Sequence, residues 1–190
     1  MNNNGFILNL YNDSRTVFSL KEIALLVSET DEDRLKQKIN YYVRTMAINN
    51  LRQGVYAKPG YSAEELACKI YTPSYISLEY VLQKSGVIFQ YSEQINVVSY
   101  LSRSIVVDNK QISIRKIKNE ILLNTVGINR MSQGVNIATP ERAFLDTIYL
   151  NKDFYFDNIS SLNTAQIRQL LTIYDSKQMN VRVNKILADA

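Results

Sequence analysis

The sequence predicts a two-domain α+β protein, and three observations lead to this prediction. The chain has 190 residues, of which 46% are hydrophobic, enough for one large core or two small ones. Helical periodicity dominates the first sixty residues, whereas residues 94–116 are rich in Val, Ile, Ser and Tyr, as strands are. Between them Pro59-Gly60 stops a segment, so we expect an N-terminal domain over 1–60 and a C-terminal domain over 61–190.

Composition excludes several kinds of chemistry. The chain contains no histidine, which removes Ser-His and Cys-His nucleophile pairs, imidazole bases and histidine metal ligands. Cys68 is the only cysteine, so no intrachain disulfide or thiolate metal cluster can form. No cluster of carboxylates has metal-ligand spacing. We therefore predict no enzyme activity, no metal and no cofactor.

The N-terminus and the apolar runs indicate where in the cell the protein is expected. Met1-Asn2-Asn3-Asn4 lacks the basic start of a secretion signal, and no apolar run approaches bilayer-spanning length. We expect a cytoplasmic protein that does not contact a membrane.

The first elements alternate between helix and strand. Residues 5–12 place apolar side chains at helical spacing, and Val17-Phe18 suits a short strand. Ser19 with Glu22 has the spacing of a capping box, which predicts a second helix. A turn over residues 28–31 follows.

A third, longer helix begins near Thr30, whose spacing to Asp33 repeats the capping pattern. Three acidic residues lie in its first turn, where the helix dipole favours negative charge. One apolar stripe is expected to face the core, formed by Leu35, Ile39, Tyr42, Val43 and Met46.

Positive charge distinguishes the other side of this helix. From Arg34 to Lys58 there are six basic residues and no acidic ones. Arg and Lys can donate to guanine, and Asn and Gln can pair with adenine, so this face suits duplex DNA; a merely solvated face is the alternative. The candidate DNA-binding residues on the helix are Arg34, Lys36, Gln37, Lys38, Asn40, Tyr41 and Arg44.

A hairpin is predicted directly after this helix. Residues 49–58 read as two short strands, with Gly54 allowing the turn between them. Arg52 and Gln53 would lie near its tip, and Tyr56 and Lys58 could contact phosphate. Helix, turn, helix and basic hairpin together predict a winged helix-turn-helix that binds double-stranded DNA.

The C-terminal domain is expected to be mixed α/β. Helices are predicted over 63–70 and from Ser74 or Ser77 to Ser85, followed by a small antiparallel sheet. Its strands are 94–100, 104–107 and 111–116, with a hairpin turn at 108–110. A second basic cluster, Arg115, Lys116 and Lys118, is either an exposed strand edge or a contact for RNA or protein.

Three helices complete this domain. Thr139 as N-cap and Pro140 at the first helical position predict a helix to Leu150. Within it Arg142 and Asp146 have the spacing of an ion pair, so we interpret them as structural rather than catalytic. Further helices are expected over 163–174 and 179–190.

Three tracts in this order resemble the AbiEi family of predicted transcriptional regulators. They are Arg52-Gln53-Gly54-Val55-Tyr56-Ala57, Pro73-Ser74-Tyr75-Ile76-Ser77-Leu78, and residues 137–146, which read Ile-Ala-Thr-Pro-Glu-Arg-Ala-Phe-Leu-Asp. The resemblance covers about residues 18–150. We interpret the matching motifs as defining the fold rather than an active site.

Members of that family are antitoxins of type IV toxin-antitoxin pairs. The resemblance implies a winged helix that binds its own promoter, and a C-terminal domain that counteracts a nucleotidyltransferase toxin encoded beside it. It leaves open direct contact with the toxin and a homodimer on DNA. The alternative is a stand-alone winged-helix regulator whose second domain dimerises or senses a ligand.

Overall fold

The computed structural model describes residues 3–131 and 133–188 and has a mixed α+β architecture. It divides into two compact units. Unit 1 contains the described residues up to Ile70 together with 133 and 134, and unit 2 contains 71–131 and 135–188. Across the described ranges, no helix is both long and apolar enough to cross a bilayer.

Unit 1 combines four helices with a three-stranded antiparallel sheet. In the sheet the strand order is β1-β3-β2. In chain order the elements are α1 (Asn3–Asn12), β1 (Val17–Ser19), α2 (Leu20–Val27), α3 (Glu32–Arg44), β2 (Asn49–Arg52), β3 (Val55–Ala57) and α4 (Ala63–Ile70).

The core of unit 1 is formed mainly by the helices. Leu35, Ile39 and Tyr42 of α3 are buried as predicted, and Phe6 of α1 stacks on Tyr42 with ring centroids 5.0 Å apart. The predicted capping box is confirmed, because Ser19 and Glu22 each accept from the other's backbone N–H.

Two details at the ends of α3 were predicted wrongly. The N-cap is Asp31, whose carboxylate accepts from the N–H groups of Asp33 and Arg34, so the cap lies one residue after Thr30. At the other end α3 stops at Arg44, and Met46 has a left-handed φ of 56°. The helical phase is lost there, so Met46 is 80% exposed and Ile48 is buried instead.

The predicted boundary between residues 60 and 61 differs from the observed division after Ile70. α4 belongs to unit 1 because its buried Glu65 is bonded there. The carboxylate of Glu65 accepts from the backbone N–H of Thr16 at 2.6 Å and of Val17 at 3.0 Å. A buried carboxylate with two backbone donors fixes the helix on strand β1.

Unit 2 is built on a six-stranded mixed sheet with the strand order β6-β7-β5-β4-β9-β8. Its strands are β4 (Ser74–Ile76), β5 (Ile95–Ser99), β6 (Arg103–Val107), β7 (Lys110–Lys116), β8 (Ile128–Arg130) and β9 (Asn136–Ala138). Its helices are α5 (Leu78–Lys84), α6 (Asn119–Leu122), α7 (Pro140–Leu150), α8 (Thr164–Leu171), followed by a 3-10 turn (Thr172–Tyr174), and α9 (Lys177–Ala188).

This sheet is larger than predicted and is not purely antiparallel. The β6–β7 hairpin is as expected, with its turn at Asp108 and Asn109, which have φ values of 47° and 60°. Strand β5, however, pairs in parallel with β7, and β4 in parallel with β9. Strands β4, β8 and β9 have three residues each, too few to show a two-residue period in the sequence.

The predicted helices of unit 2 lie close to the observed ones. α7 begins at Pro140 with Thr139 as N-cap, as predicted, and α8 begins after the N-cap Asn163. The predicted last helix extended to residue 190, and residues 189 and 190 lie outside the described part of the chain.

Candidate nucleic-acid interface

Helix α3 presents a polar stripe on the side opposite its buried residues. Gln37, Asn40, Tyr41 and Arg44 are all exposed. Their offsets of three and four return to one side of a helix at each turn. Four of the seven predicted helical contacts therefore share one accessible face.

The remaining three cations of α3 are paired with carboxylates near its N-terminus. Arg34 lies 3.3 Å from Asp31, and Lys36 lies 2.7 Å from Glu32. Lys38 lies 2.6 Å from Glu29, a residue of the preceding turn. Hydrogen bonds from these lysines lower the pKa values of Glu29 and Glu32.

These pairs change the charge distribution that the sequence suggested. Residues 29–38 contain four acidic and three basic residues, whereas residues 39–58 contain three basic residues and no acidic one. The positive part of the surface is therefore the C-terminal half of α3 and the hairpin. The pairs of Arg34 and Lys36 are exposed to solvent, so a phosphate can replace their carboxylate partners at small cost.

The hairpin after α3 has the short turn that the sequence predicted. Gln53 and Gly54 form the turn between β2 and β3, and Gly54 has a φ of 76°, which favours glycine. The Gly54 carbonyl accepts from the N–H of Leu20, which ties the turn to the start of α2. Arg52 and Gln53 are exposed at this end of the hairpin.

Lys58 and Tyr56 are engaged within unit 1. The ammonium of Lys58 donates to the carbonyls of Asp13 at 2.5 Å and Tyr11 at 3.3 Å. It also lies 5.7 Å from the ring centroid of Phe18. Tyr56 is half-buried and packs against the core. Lys58 thus holds the end of α1 in place, a role that a count of charges in the sequence does not reveal.

An ion-pair network that the sequence analysis missed lies at the start of β1. The Arg15 guanidinium donates two hydrogen bonds to Asp13, at 2.9 and 2.7 Å, and also contacts Glu22 at 3.2 Å. Lys69 of α4 reaches the same Glu22 at 2.6 Å. The hydrogen bonds from Arg15 hold the pKa of Asp13 at about 2. These charges stabilise unit 1 internally.

Unit 2 contains a fully buried polar network centred on Arg142 and Asp146 of α7. The predicted ion pair between them is confirmed, at 3.4 Å, and both side chains have no exposed surface. Asp146 also accepts from Tyr174 Oη at 2.6 Å and from Ser77 Oγ at 2.8 Å. Burial raises the pKa of Asp146 and raises the pKa of Tyr174 well above its usual value.

The guanidinium of Arg142 connects α7 to the loop before β8. It donates to the carbonyls of Ile121 at 2.8 Å and Val126 at 2.9 Å, and to Tyr75 Oη at 3.3 Å. The side chains of Arg142 and Asp146 are both fully buried, and the hydrogen bonds of Arg142 tie α7 to α6, to the loop before β8 and to Tyr75 of β4.

Glu141, the third charged residue at this helix start, is also used internally. Its carboxylate accepts from the backbone N–H of Asn163 at 3.1 Å, which joins α7 to the start of α8. No group of three or more Cys, Asp or Glu side chains among the described residues is placed to hold a metal ion.

Comparison with known proteins identifies a similar fold but no activity. No protein-family model matches the chain, and no curated protein matches it. Among solved structures, the chain is similar to the Rv2827c protein from Mycobacterium tuberculosis, with a TM-score of 0.55 and 13% sequence identity. The match covers 89% of this chain and 70% of that one. At this identity the likeness shows the fold alone.

Proposed function

We propose that this chain is a DNA-binding antitoxin of a type IV toxin-antitoxin system. In this proposal unit 1 is a winged helix-turn-helix that represses the chain's own operon, and unit 2 counteracts a nucleotidyltransferase toxin. The observation that carries the DNA-binding half is the element order of unit 1. Helices α2 and α3 are followed directly by the β2–β3 hairpin, and β1 completes the sheet in the order β1-β3-β2. That order is typical of a winged helix.

The chemistry of α3 supports its assignment as the helix that enters the major groove. Gln37, Asn40 and Arg44 are exposed on one side, and these side chains can pair with adenine and guanine edges. The acidic residues of the first turn would repel phosphate. We therefore assign base contact to the stretch from Gln37 to Arg44 and backbone contact to Arg52 and Gln53 of the hairpin.

The cations at the start of α3 have a smaller role in this proposal. Lys36 and Arg34 can turn to phosphate only by leaving Glu32 and Asp31. Each exchange replaces one ion pair by another, so the net gain is small. Arg44 forms no ion pair within the described residues, so its full charge is available to DNA.

The antitoxin half of the proposal rests on the resemblance of three sequence tracts to the AbiEi family. Buried contacts explain why two of these tracts occur together. Tyr75 and Ser77 come from one tract, Arg142 and Asp146 come from the other, and hydrogen bonds join the four side chains in one network. The toxin is a functional partner here, with direct contact left open.

DNA binding is tested by gel shift of the full chain with the DNA upstream of its own gene. We expect Arg44→Ala to weaken binding about tenfold and to reduce the salt dependence by about one unit. Lys36→Ala should weaken it less, because Lys36 is paired with Glu32. Arg168→Ala removes an exposed arginine of α8 and is the matched control. Equal affinities for the Arg44 and Arg168 variants would refute the assigned face.

The antitoxin role needs a separate experiment. Expression of the adjacent gene alone should stop growth, and co-expression of this chain should restore it. The Arg44→Ala variant should still restore growth when both genes are expressed from a foreign promoter. An adjacent gene that encodes no nucleotidyltransferase would favour a stand-alone regulator instead.

A further inference from the structure

A second positive surface lies in unit 2, at the end of the sheet where β5 and β7 finish and β6 begins. Residues 94–118 contain five basic residues and one acidic residue. Unlike the cations at the start of α3, none of these five forms an ion pair among the described residues. We call Tyr71, Tyr100, Arg103, Lys116 and Lys118 the strand-end cluster.

Strand register brings two of the three cations of this cluster, Arg103 and Lys116, together. Arg103 of β6 lies opposite Ile114 of β7 in the antiparallel pair. Lys116 is two residues farther along β7, so it lies on the same face and diagonal to Arg103, about 7–8 Å away between Cα atoms. The Ser102 hydroxyl accepts from the N–H of Lys116 at 3.0 Å, which fixes the two strands at this point.

Two tyrosines lie next to each other here, and one of them, Tyr71, contacts Arg103. Arg103 donates to Tyr71 Oη at 3.2 Å. The ring of Tyr71 contacts that of Tyr100 edge to face, with centroids 6.4 Å apart. Tyr100 is 43% exposed. The exposed ring of Tyr100, held by Tyr71, is a surface on which an unpaired base can stack.

We propose that the strand-end cluster binds single-stranded nucleic acid. Arg103, Lys116 and Lys118 are exposed and suited to the phosphates, while Tyr100 offers a ring for stacking. Aromatic rings beside a positively charged groove are the usual means of binding single strands. The bases of a duplex are stacked on one another, and the cluster has no helix that could enter a major groove.

This site is separate from the one proposed on α3. It lies on other residues and in the other unit, so either proposal can fail without the other. RNA and single-stranded DNA share the chemistry that the cluster recognises, and the experiment compares the two.

The test is fluorescence anisotropy of the full chain with labelled 12-nucleotide RNA, DNA of the same sequence, and the corresponding DNA duplex of a sequence unrelated to the promoter. We expect tighter binding of the single strands than of the duplex. Tighter binding of RNA than of single-stranded DNA identifies RNA as the ligand, and the reverse identifies DNA.

Two variants separate charge from stacking. The double variant Arg103→Ala with Lys116→Ala should weaken single-strand binding about tenfold or more and lower its salt slope by about 1.4, at roughly 0.7 per phosphate contact. Tyr100→Ala should weaken binding about five- to tenfold with an unchanged salt slope. The matched control is Lys152→Ala with Arg168→Ala, which removes the same two charges from exposed positions of unit 2.

Circular dichroism and thermal unfolding establish that each variant is folded, and gel shift on the promoter reports the α3 site independently. Single-strand binding by the Arg103 and Lys116 double variant as tight as that of the wild type would overturn the proposal, whereas duplex binding by the full chain also reports the α3 site. Equal weakening by the control variant would overturn it as well.

Discussion

Tyr174→Phe should destabilise unit 2 by about 2 kcal/mol. The change removes one hydroxyl and keeps the ring. That hydroxyl donates to Asp146 Oδ1 at 2.6 Å, inside a network with no exposed surface at Asp146. A hydrogen bond to a charged group contributes about 1.5–3 kcal/mol, and no water can replace it at a closed site.

The remaining contacts of Asp146 limit the loss. Ser77 Oγ still donates at 2.8 Å, and Arg142 Nε still donates at 3.4 Å. The carboxylate therefore keeps a partner on each oxygen, and the cost stays near the middle of the range for one bond. For a unit of this size, about 2 kcal/mol corresponds to a decrease in melting temperature of roughly 5–10 °C.

The assay is thermal and urea unfolding of the full chain at pH 7, followed by circular dichroism. Tyr149→Phe is the matched control, because the Tyr149 ring lies 5.6 Å from that of Tyr174. Its hydroxyl forms no hydrogen bond within the described residues, so its removal should change stability by less than about 0.5 kcal/mol. Equal unfolding midpoints for the two variants would refute the assigned role of the network.

Two further predictions concern backbone strain and pH. Gly127→Ala should lower the free energy of unfolding by about 2–3 kcal/mol, measured by urea unfolding. Gly127 has a φ of 78°, and an added Cβ would lie 3.1 Å from Arg142 Cβ and from Leu170 Cδ2. Gly5→Ala is the control, because an added Cβ there would enter open space. Asp13 has a pKa of about 2 against an ordinary 3.8, so its contribution, on the order of 1–2 kcal/mol, is present above about pH 4 and is lost as pH falls towards 2. The difference in free energy of unfolding between the wild type and Asp13→Asn should therefore decrease as the pH is lowered from 6 to 2.5. A difference that stays constant over this range would contradict the assigned role of Asp13.

Local signals in the sequence were sufficient for most helices. Ser19 with Glu22, and Thr139 with Pro140, are caps whose physics acts within four residues, and both helices begin where these caps predict. The β6–β7 hairpin follows from Asp108 and Asn109, two residues that tolerate positive φ. Such elements depend on neighbours along the chain.

Elements fixed by distant partners could not be predicted in the same way. Strand β4 is a strand because it pairs with β5 on one side and β9 on the other, and those partners lie about 20 and 60 residues away. Likewise, the sequence alone suggests that Glu65 is an exposed acid in the first turn of a helix. Only the fold places its carboxylate beside the backbone N–H groups of Thr16 and Val17. The division between the units follows from that contact.

The two positive surfaces show that the charge pattern of a sequence does not by itself identify the cations that are available to bind phosphate. The run from Arg34 to Lys58 contains no acid, yet four of its six cations, Arg34, Lys36, Lys38 and Lys58, are ion-paired or hydrogen-bonded within unit 1. A helix brings residues three and four apart together, and a turn brings Glu29 to Lys38. The strand-end cluster keeps its charge because residues along a strand extend away from one another and its strand partners carry no carboxylate at the paired positions. Free charge depends on the partners that the fold supplies. On that criterion Arg44 in unit 1 and Arg103 with Lys116 in unit 2 are the cations best placed to bind phosphate, and substitutions at these three residues separate the two proposed activities.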